Sequence, residues 1–294
     1  MNSKIYLIIL SVVPVLLLVK IIAVWPDGNL RYIHCDVGQG DAIVISRKTS
    51  QLLIDAGKGS AVVECLEQQL PFWDKILEVV VVTHSDSDHY GGLAEILNRY
   101  QIKLIILPSG KGGEEEWNAL LEKIEEKGIK TSYVWQLEKV EIDLISATFL
   151  WPNEEILIDK DIFENTSNNH SKSTSANYSD NDASIVTKVT FGDFSALLTG
   201  DVTEAVEQVL LENSSNLRST VLKVGHHGSR FSTSAKFLYE VEPTIATIGV
   251  GKNNYGHPAE EVIERLSHQN ASVYRTDIDG TIVIVSNGQK WWKQ

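Results

Sequence analysis

Two imidazoles and two carboxylates crowd into the six residues His84-Ser85-Asp86-Ser87-Asp88-His89, directly after the apolar run Val79-Val80-Val81-Val82. Donors packed this way repel one another and are costly to desolvate unless a cation sits among them. His84 and Asp86, on a loop leaving a strand, can converge on one cation, and Asp88 and His89, on the next turn, on a second. Imidazole and carboxylate suit zinc, manganese or iron. Two cations fed by one strand-end loop lie close enough to share a bridging water. Gly91-Gly92 would let the following helix begin hard against such a site.

Other metal-type residues also close apolar runs. Asp55 ends LLID, and Asp201 ends ALLTGD, where its carboxylate could bridge two metals. His226 and His227 follow TVLKVG, and His257 follows a further apolar run within NNYGHP. Each alone reads as a cap or turn residue. Together they imply several strands delivering ligands to one shared edge. A binuclear site there would bring the pKa of bridging water towards neutrality and offset the charge of a phosphodiester. That matters for a chain of net charge −13. Bulk electrostatics holds polyanions on basic proteins, so this one needs metals or a local patch to do so.

The elements that must carry these residues are legible from periodicity. Strands are predicted over LRYIHCD, DAIVISR, LLID, ILEVVVVT, LIIL, SIVTKVTF, FSALLTG, TVLKVG, TIATIG, GTIVIVS and KWWK. Helices are predicted over AVVECLEQQL, after Gly91-Gly92, and over EEEWNALLEKIEEKG, TEAVEQVLLEN, SAKFLYEV and PAEEVIERLSHQ. In the third of these, Trp117, Leu120, Leu121 and Ile124 share one face and Gly128 ends the helix. Strands grouped towards each end with helices between suggest two sheets covered by helices in one α+β domain over residues 28–294. Residues 153–182 change character, 165–182 being almost wholly polar, and read as a mobile loop within that domain. Cys35 and Cys65 fit no zinc-ribbon spacing and read first as small buried hydrophobes, with a structural disulfide the lesser alternative and a metal role behind it.

Residues 1–27 differ from the rest. The run from Ile5 to Val19, then Lys20 and IIAVW, has no polar face and reads as a single uncleaved transmembrane anchor. Lys20 would snorkel and Trp25 would lie at the interface. Lys4 favours a cytoplasmic N-terminus, with the catalytic domain extracytoplasmic at the cell membrane.

The order D…HxDxDH…GD…HHGS resembles the metallo-β-lactamase superfamily. The segments DVGQGDA, LLIDAG, THSDSDHYGG, LLTGD, LKVGHHGS and NNYGHP resemble the C-terminal hydrolase domain of ComEC-type DNA-uptake competence proteins. The resemblance implies a four-layer αββα sandwich with a binuclear site at one edge, here preceded by one transmembrane helix. It implies His84 and Asp86 on the first metal, Asp88, His89 and one of His226 and His227 on the second, and Asp201 bridging; the Gly225-His226 match favours His226 as the ligand. Asp55 would orient a ligand histidine, as such carboxylates do. His227 would face the substrate, and His257 would bind the phosphate or protonate a leaving oxygen. The superfamily usually has His where Asp86 stands, which makes manganese as plausible as zinc. A further first-site histidine expected before LLTGD has no clear match. His170 lies in the polar loop, and Asn181 and Asp182 are better placed, Asp182 with a catalytic role. Tyr255 reads as a packing residue first and as a substrate contact second.

The implied activity is hydrolysis of phosphodiesters by a hydroxide activated between two divalent metal ions, zinc or manganese. DNA is the first substrate and a cell-envelope polymer the second, with a separate DNA-uptake channel as a partner. The alternatives are hydrolysis of a lactone, thioester or β-lactam with the same hydroxide, or a degenerate domain that binds DNA or a wall polymer without cutting it.

Overall fold

The computed structural model of the chain describes residues 25–108, 115–152, 179–213 and 216–294, together with Val12. The expected anchor and most of the 153–182 loop lie outside these residues. Among the described residues, no helix is long and apolar enough to cross a membrane.

The first sheet opens with β1 (Leu30–His34), β2 (Ile43–Arg47) and β3 (Ser50–Ile54) as an antiparallel meander. It continues in parallel through β4 (Ile76–Val81), β5 (Gln101–Leu107) and β6 (Lys130–Tyr133). The second sheet comprises β7 (Lys139–Ile142), β8 (Ile145–Trp151), β9 (Val186–Phe191), β10 (Phe194–Leu198), β11 (Val221–Lys223), β12 (Ile245–Ile248) and β13 (Ser272–Arg275). The chain then returns to the first sheet as β14 (Ile282–Ser286) and β15 (Trp291–Lys293), giving an 8-stranded and a 7-stranded sheet.

Period-2 alternation divides each strand between two cores. Leu52 and Ile54 of β3 face the second sheet, among Val189, Ala196, Leu198 and Val221. Leu53 points the other way, into a layer formed by helices α1 (Ala61–Gln69), α2 (Ser87–Tyr90), α3 (Leu93–Arg99) and α4 (Glu115–Glu126). On the far side, Leu197, Leu222 and Ala246 pack under α5 (Glu204–Asn213), α6 (Ala235–Val241) and α7 (Glu260–His268). A last short helix, α8 (Thr276–Asp279), precedes β14. The layers are therefore αββα, as expected. Burying each such Leu, Ile or Val is worth about 1.5–3 kcal/mol, so the three apolar layers far outweigh any single polar contact in holding the sandwich.

Four strands and one covalent link differ from expectation. The strands β6, β7, β8 and β13 were not predicted: β6, β7 and β13 are short and lie at sheet edges, and β6 and β7 carry Lys, Thr, Ser and Glu rather than an apolar run. Cys35 and Cys65 are not free thiols but form a disulfide between the loop after β1 and the face of α1 that packs on the first sheet. Closing a loop of 30 residues in this way is worth about 3–4 kcal/mol in chain entropy.

The strand registers put the site residues on one edge. In the first sheet, the end of β1 pairs with the start of β2, which pairs with the end of β3 (His34↔Ile43↔Ile54), and β4 runs parallel to β3. In the second, β10, β11 and β12 run parallel and finish together. The loops after β1, β3, β4, β10, β11 and β12 thus emerge along the same rim.

Candidate metal centre

Asp55 follows β3 in a left-handed backbone conformation (φ 59°). One carboxylate oxygen accepts the Thr83 amide (2.8 Å), and the other accepts the Thr83 hydroxyl (2.8 Å) and faces His89 Nδ1 (2.7 Å). A proton on Nδ1 leaves His89 Nε2 as a lone pair aimed into the site. Across the cleft, His227 Nδ1 faces the Gly249 carbonyl at 2.7 Å, which fixes the same tautomer. The two Nε2 atoms stand 3.3 Å apart. Asp201 Oδ2 lies 3.4 Å from His89 Nε2 and 3.3 Å from His227 Nε2, and Asp88 Oδ2 lies 3.4 Å from His227 Nε2.

Two lone pairs and two carboxylate oxygens at such separations are repulsive on their own. A tetrahedral cation with bonds of about 2.0–2.1 Å requires its ligands about 3.3–3.4 Å apart. The donor set therefore fits a divalent metal. Burial pulls the pKa of the His227 ring down, yet Asp201 and Asp41 outweigh it and raise it to about 10. His89 is raised well above the ordinary range against burial, by Asp201 and Asp55. The pocket recruits positive charge, and protons compete with metal for its nitrogens.

A second cluster shares Asp201. His84 is buried, its Nδ1 lies 3.0 Å from the Thr83 hydroxyl, and its Nε2 has no hydrogen-bond partner among the described residues. That Nε2 lies 3.5 Å from Asp86 Oδ2. His226 Nε2 is 3.9 Å from Asp201 Oδ2 and 3.4 Å from the Asn181 amide nitrogen. An orphaned buried imidazole nitrogen beside the Asp86 carboxylate fits a metal as well, in a looser arrangement. The candidate ligands thus divide spatially: Asp88, His89, Asp201 and His227 on one side, His84, Asp86, Asp201 and His226 on the other.

His226 and His227 diverge because both adopt left-handed backbone angles (φ 48° and 53°) in the turn after β11. For non-glycine residues this costs about 1–3 kcal/mol each and persists only where the surroundings enforce it. The structure brings His227, expected to face substrate, into the tighter cluster, and puts His226, expected there, beside His84 and Asp86. Asp182, expected to be catalytic, is turned elsewhere. One of its carboxylate oxygens accepts from Thr203 (amide and hydroxyl) and the other from Ser179 (amide and hydroxyl), so it ties the short 3-10 turn Asn181–Ala183 to the start of α5. His257 lies at the mouth, its ring 5.6 Å from that of His226. Burial, followed by His226 and His227, holds its pKa below the ordinary value.

Three residues behind the site are not singled out by the sequence, although Asp41 lies in DVGQGDA and Lys223 in LKVGHHGS. Lys223, on β11, is 1% exposed; its ammonium donates to the Gly200 carbonyl (2.7 Å) and contacts Asp41 Oδ2 (2.5 Å) and Asp201 Oδ1 (3.3 Å). Asp41 in turn meets His34 Nε2 at 3.0 Å. Asp41 lies within reach of a metal cluster with His89, Asp201 and His227. Its contact with the Lys223 ammonium, and its position on the Nδ1 side of His227 (3.6 Å), make Asp88 the better fourth ligand. Lys223 thus offsets both carboxylates and leaves Asp201 Oδ2 directed at the cation positions. The packing is close: a Cβ on Gly249 would fall 2.5 Å from His34 Nε2, and one on Gly92 would strike the Gly59 carbonyl at 2.8 Å. The latter is the tight helix start expected of Gly91-Gly92.

Residues 35–252 match the model of the metallo-beta-lactamase superfamily. The chain belongs to that superfamily. It is 29% identical over 266 residues to ComE operon protein 3 of Bacillus subtilis (84% of this chain, 32% of that protein). It is 30% identical over 254 residues to Recombination protein 2 of Haemophilus influenzae (84% and 28%). Competence protein ComA of Neisseria gonorrhoeae is 29% identical over 263 residues (87% and 32%). The chain thus spans about a third of the length of these relatives. Among solved structures, the metallo-beta-lactamase fold protein YhfI of Bacillus subtilis superposes with a TM-score of 0.54 at 12% identity, over 88% of this chain and 100% of that one. This likeness is one of fold.

Proposed function

We propose that this metallo-beta-lactamase domain is a binuclear metal-dependent phosphodiesterase, with DNA as the favoured substrate, held at the outer face of a membrane. The observation that carries the reading is the triangle of 3.3–3.4 Å separations among His89, His227 and Asp201, with Asp88 3.4 Å from His227 and both imidazoles oriented from behind. Those four residues would hold one cation, and His84, Asp86, Asp201 and His226 the other; zinc and manganese both suit the donors. Bound there, two divalent cations would supply a water of lowered pKa and neutralise phosphodiester charge.

The chain's own groups would do the rest. Asp55 and the Gly249 carbonyl keep the Nδ1 protons of His89 and His227 in place, and Lys223 keeps Asp201 from rotating. His257, with its pKa lowered, is neutral at pH 7 and would serve a substrate oxygen as a neutral hydrogen-bond donor rather than as a ready acid. Similarity to competence proteins supports DNA over a wall polymer. The Cys35–Cys65 disulfide supports an oxidising, extracytoplasmic location. Beside the apolar N-terminal run, the exposed Trp25 and Phe72 cluster with Trp73 (ring centroids 6.0 and 5.0 Å from it), an arrangement suited to a membrane interface.

The test is turnover of bis(p-nitrophenyl) phosphate by the full chain in detergent after loading with zinc or manganese. Turnover that Asp201→Ala abolishes is expected. Absence of turnover with either metal would overturn the reading.

A further inference from the structure

Tyr255 does not pack, as its neighbours in sequence suggested. It is 77% exposed, yet it stands on a braced loop. Asn253 Oδ1 accepts the amides of Tyr255 and His257 (3.1 Å each), and Asn253 Nδ2 donates to the carbonyls of Gly251 and His257 (2.9 Å each). The Tyr255 ring lies 5.8 Å from that of His257 at an interplanar angle of 26°, and His257 lies 5.6 Å from His226. A row of rings thus leads from solvent to the candidate metal centre, ending in an aromatic ring largely open to solvent. Ordering an exposed ring in this way gains little for the fold.

We propose that Tyr255 is a nucleobase-stacking subsite, receiving an unpaired base of a single strand whose phosphate lies at the His/Asp centre; this rests on the phosphodiesterase reading. Duplex bases are already stacked on one another, so only a single strand offers a free face. Stacking also suits an acidic protein, because it draws affinity from the base rather than from the phosphate charge that a net −13 repels. The phenol hydroxyl is not required, so the subsite needs an aromatic ring and nothing more.

Two measurements on the metal-loaded full chain in detergent separate this proposal from the reading beneath it. The first is binding of a labelled oligothymidylate and of an abasic strand, both with cleavage-resistant phosphorothioate backbones. The second is hydrolysis of thymidine 5′-(p-nitrophenyl phosphate) beside methyl p-nitrophenyl phosphate. A preference of about tenfold for the base-bearing partner is expected in binding and, through KM, in hydrolysis. Tyr255→Ala should bring both ratios near to one, and Tyr255→Phe should retain them. Base-selective binding lost in Tyr255→Ala, without hydrolysis of either diester, would overturn the phosphodiesterase reading and leave the subsite standing. Equal binding of the two strands by the wild type, a ratio unmoved by Tyr255→Ala, or an equal fall on both diesters would overturn the subsite.

Discussion

The two halves of the candidate metal centre use the same residue types, two histidines and two aspartates each with Asp201 in common, yet they are built to different standards. Around His89 and His227 the donor separations are 3.3–3.4 Å, and each ring is fixed at Nδ1 by a buried acceptor. Around His84 and His226 the separations are 3.5 and 3.9 Å, the Asp86 side chain is 48% exposed, and His226 Nδ1 has no hydrogen-bond partner among the described residues. The difference lies behind the ligands rather than in them. Partners that fix tautomer and orientation typically alter metal affinity 10–100-fold. The account therefore expects one tight and one weaker metal position.

The sharpest way to break this comparison is to remove what the halves share. Asp201→Ala should abolish both positions, reducing turnover by at least about a thousandfold and metal content to near zero, as read by mass spectrometry. Next in size is the foundation common to both: Lys223→Met leaves Asp41 and Asp201 buried without their cation and should cost about 3–5 kcal/mol in urea unfolding of the metal-free chain. Restoring stability with Asp41→Asn on that background would identify charge, rather than packing, as the cause. Cys35→Ser should lower stability by about 2–4 kcal/mol while leaving the ratio of the two metal affinities unchanged, because the disulfide braces α1 and not the ligand set. Smallest, and specific to one half, Asp55→Asn should weaken the tight position about 10–100-fold and leave the weaker one near its original affinity.

The sequence carried the ligands clearly and their support poorly. His84, Asp86, Asp88 and His89 stand together, and apolar runs ending in Asp55, Asp201 and the histidine pair announced one sheet edge; that edge and the αββα layers are present. Lys223, Asp41 and His34 went unnoticed because a lysine within a strand and a histidine before a cysteine are ordinary until the two sheets face each other. The choice between His226 and His227 turned on backbone angles that no spacing rule encodes. Asp182 looked free because its partners, Ser179 and Thr203, flank a strand pair that folds between them. The disulfide is only the lesser reading of the sequence, since 30 residues separate its cysteines and the packing of α1 against the first sheet joins them. The sequence favours packing over substrate contact for Tyr255, and its 77% exposure reverses that order.

The central claim is tested most directly by titrating the chelator-treated full chain with zinc, by competition with a chromogenic chelator, in the wild type, His227→Ala and His226→Ala. Two positions of unequal affinity are predicted, with His227→Ala removing the tight one and His226→Ala the weak one. A single position, or a tight position that survives His227→Ala and disappears in His226→Ala, would contradict the account.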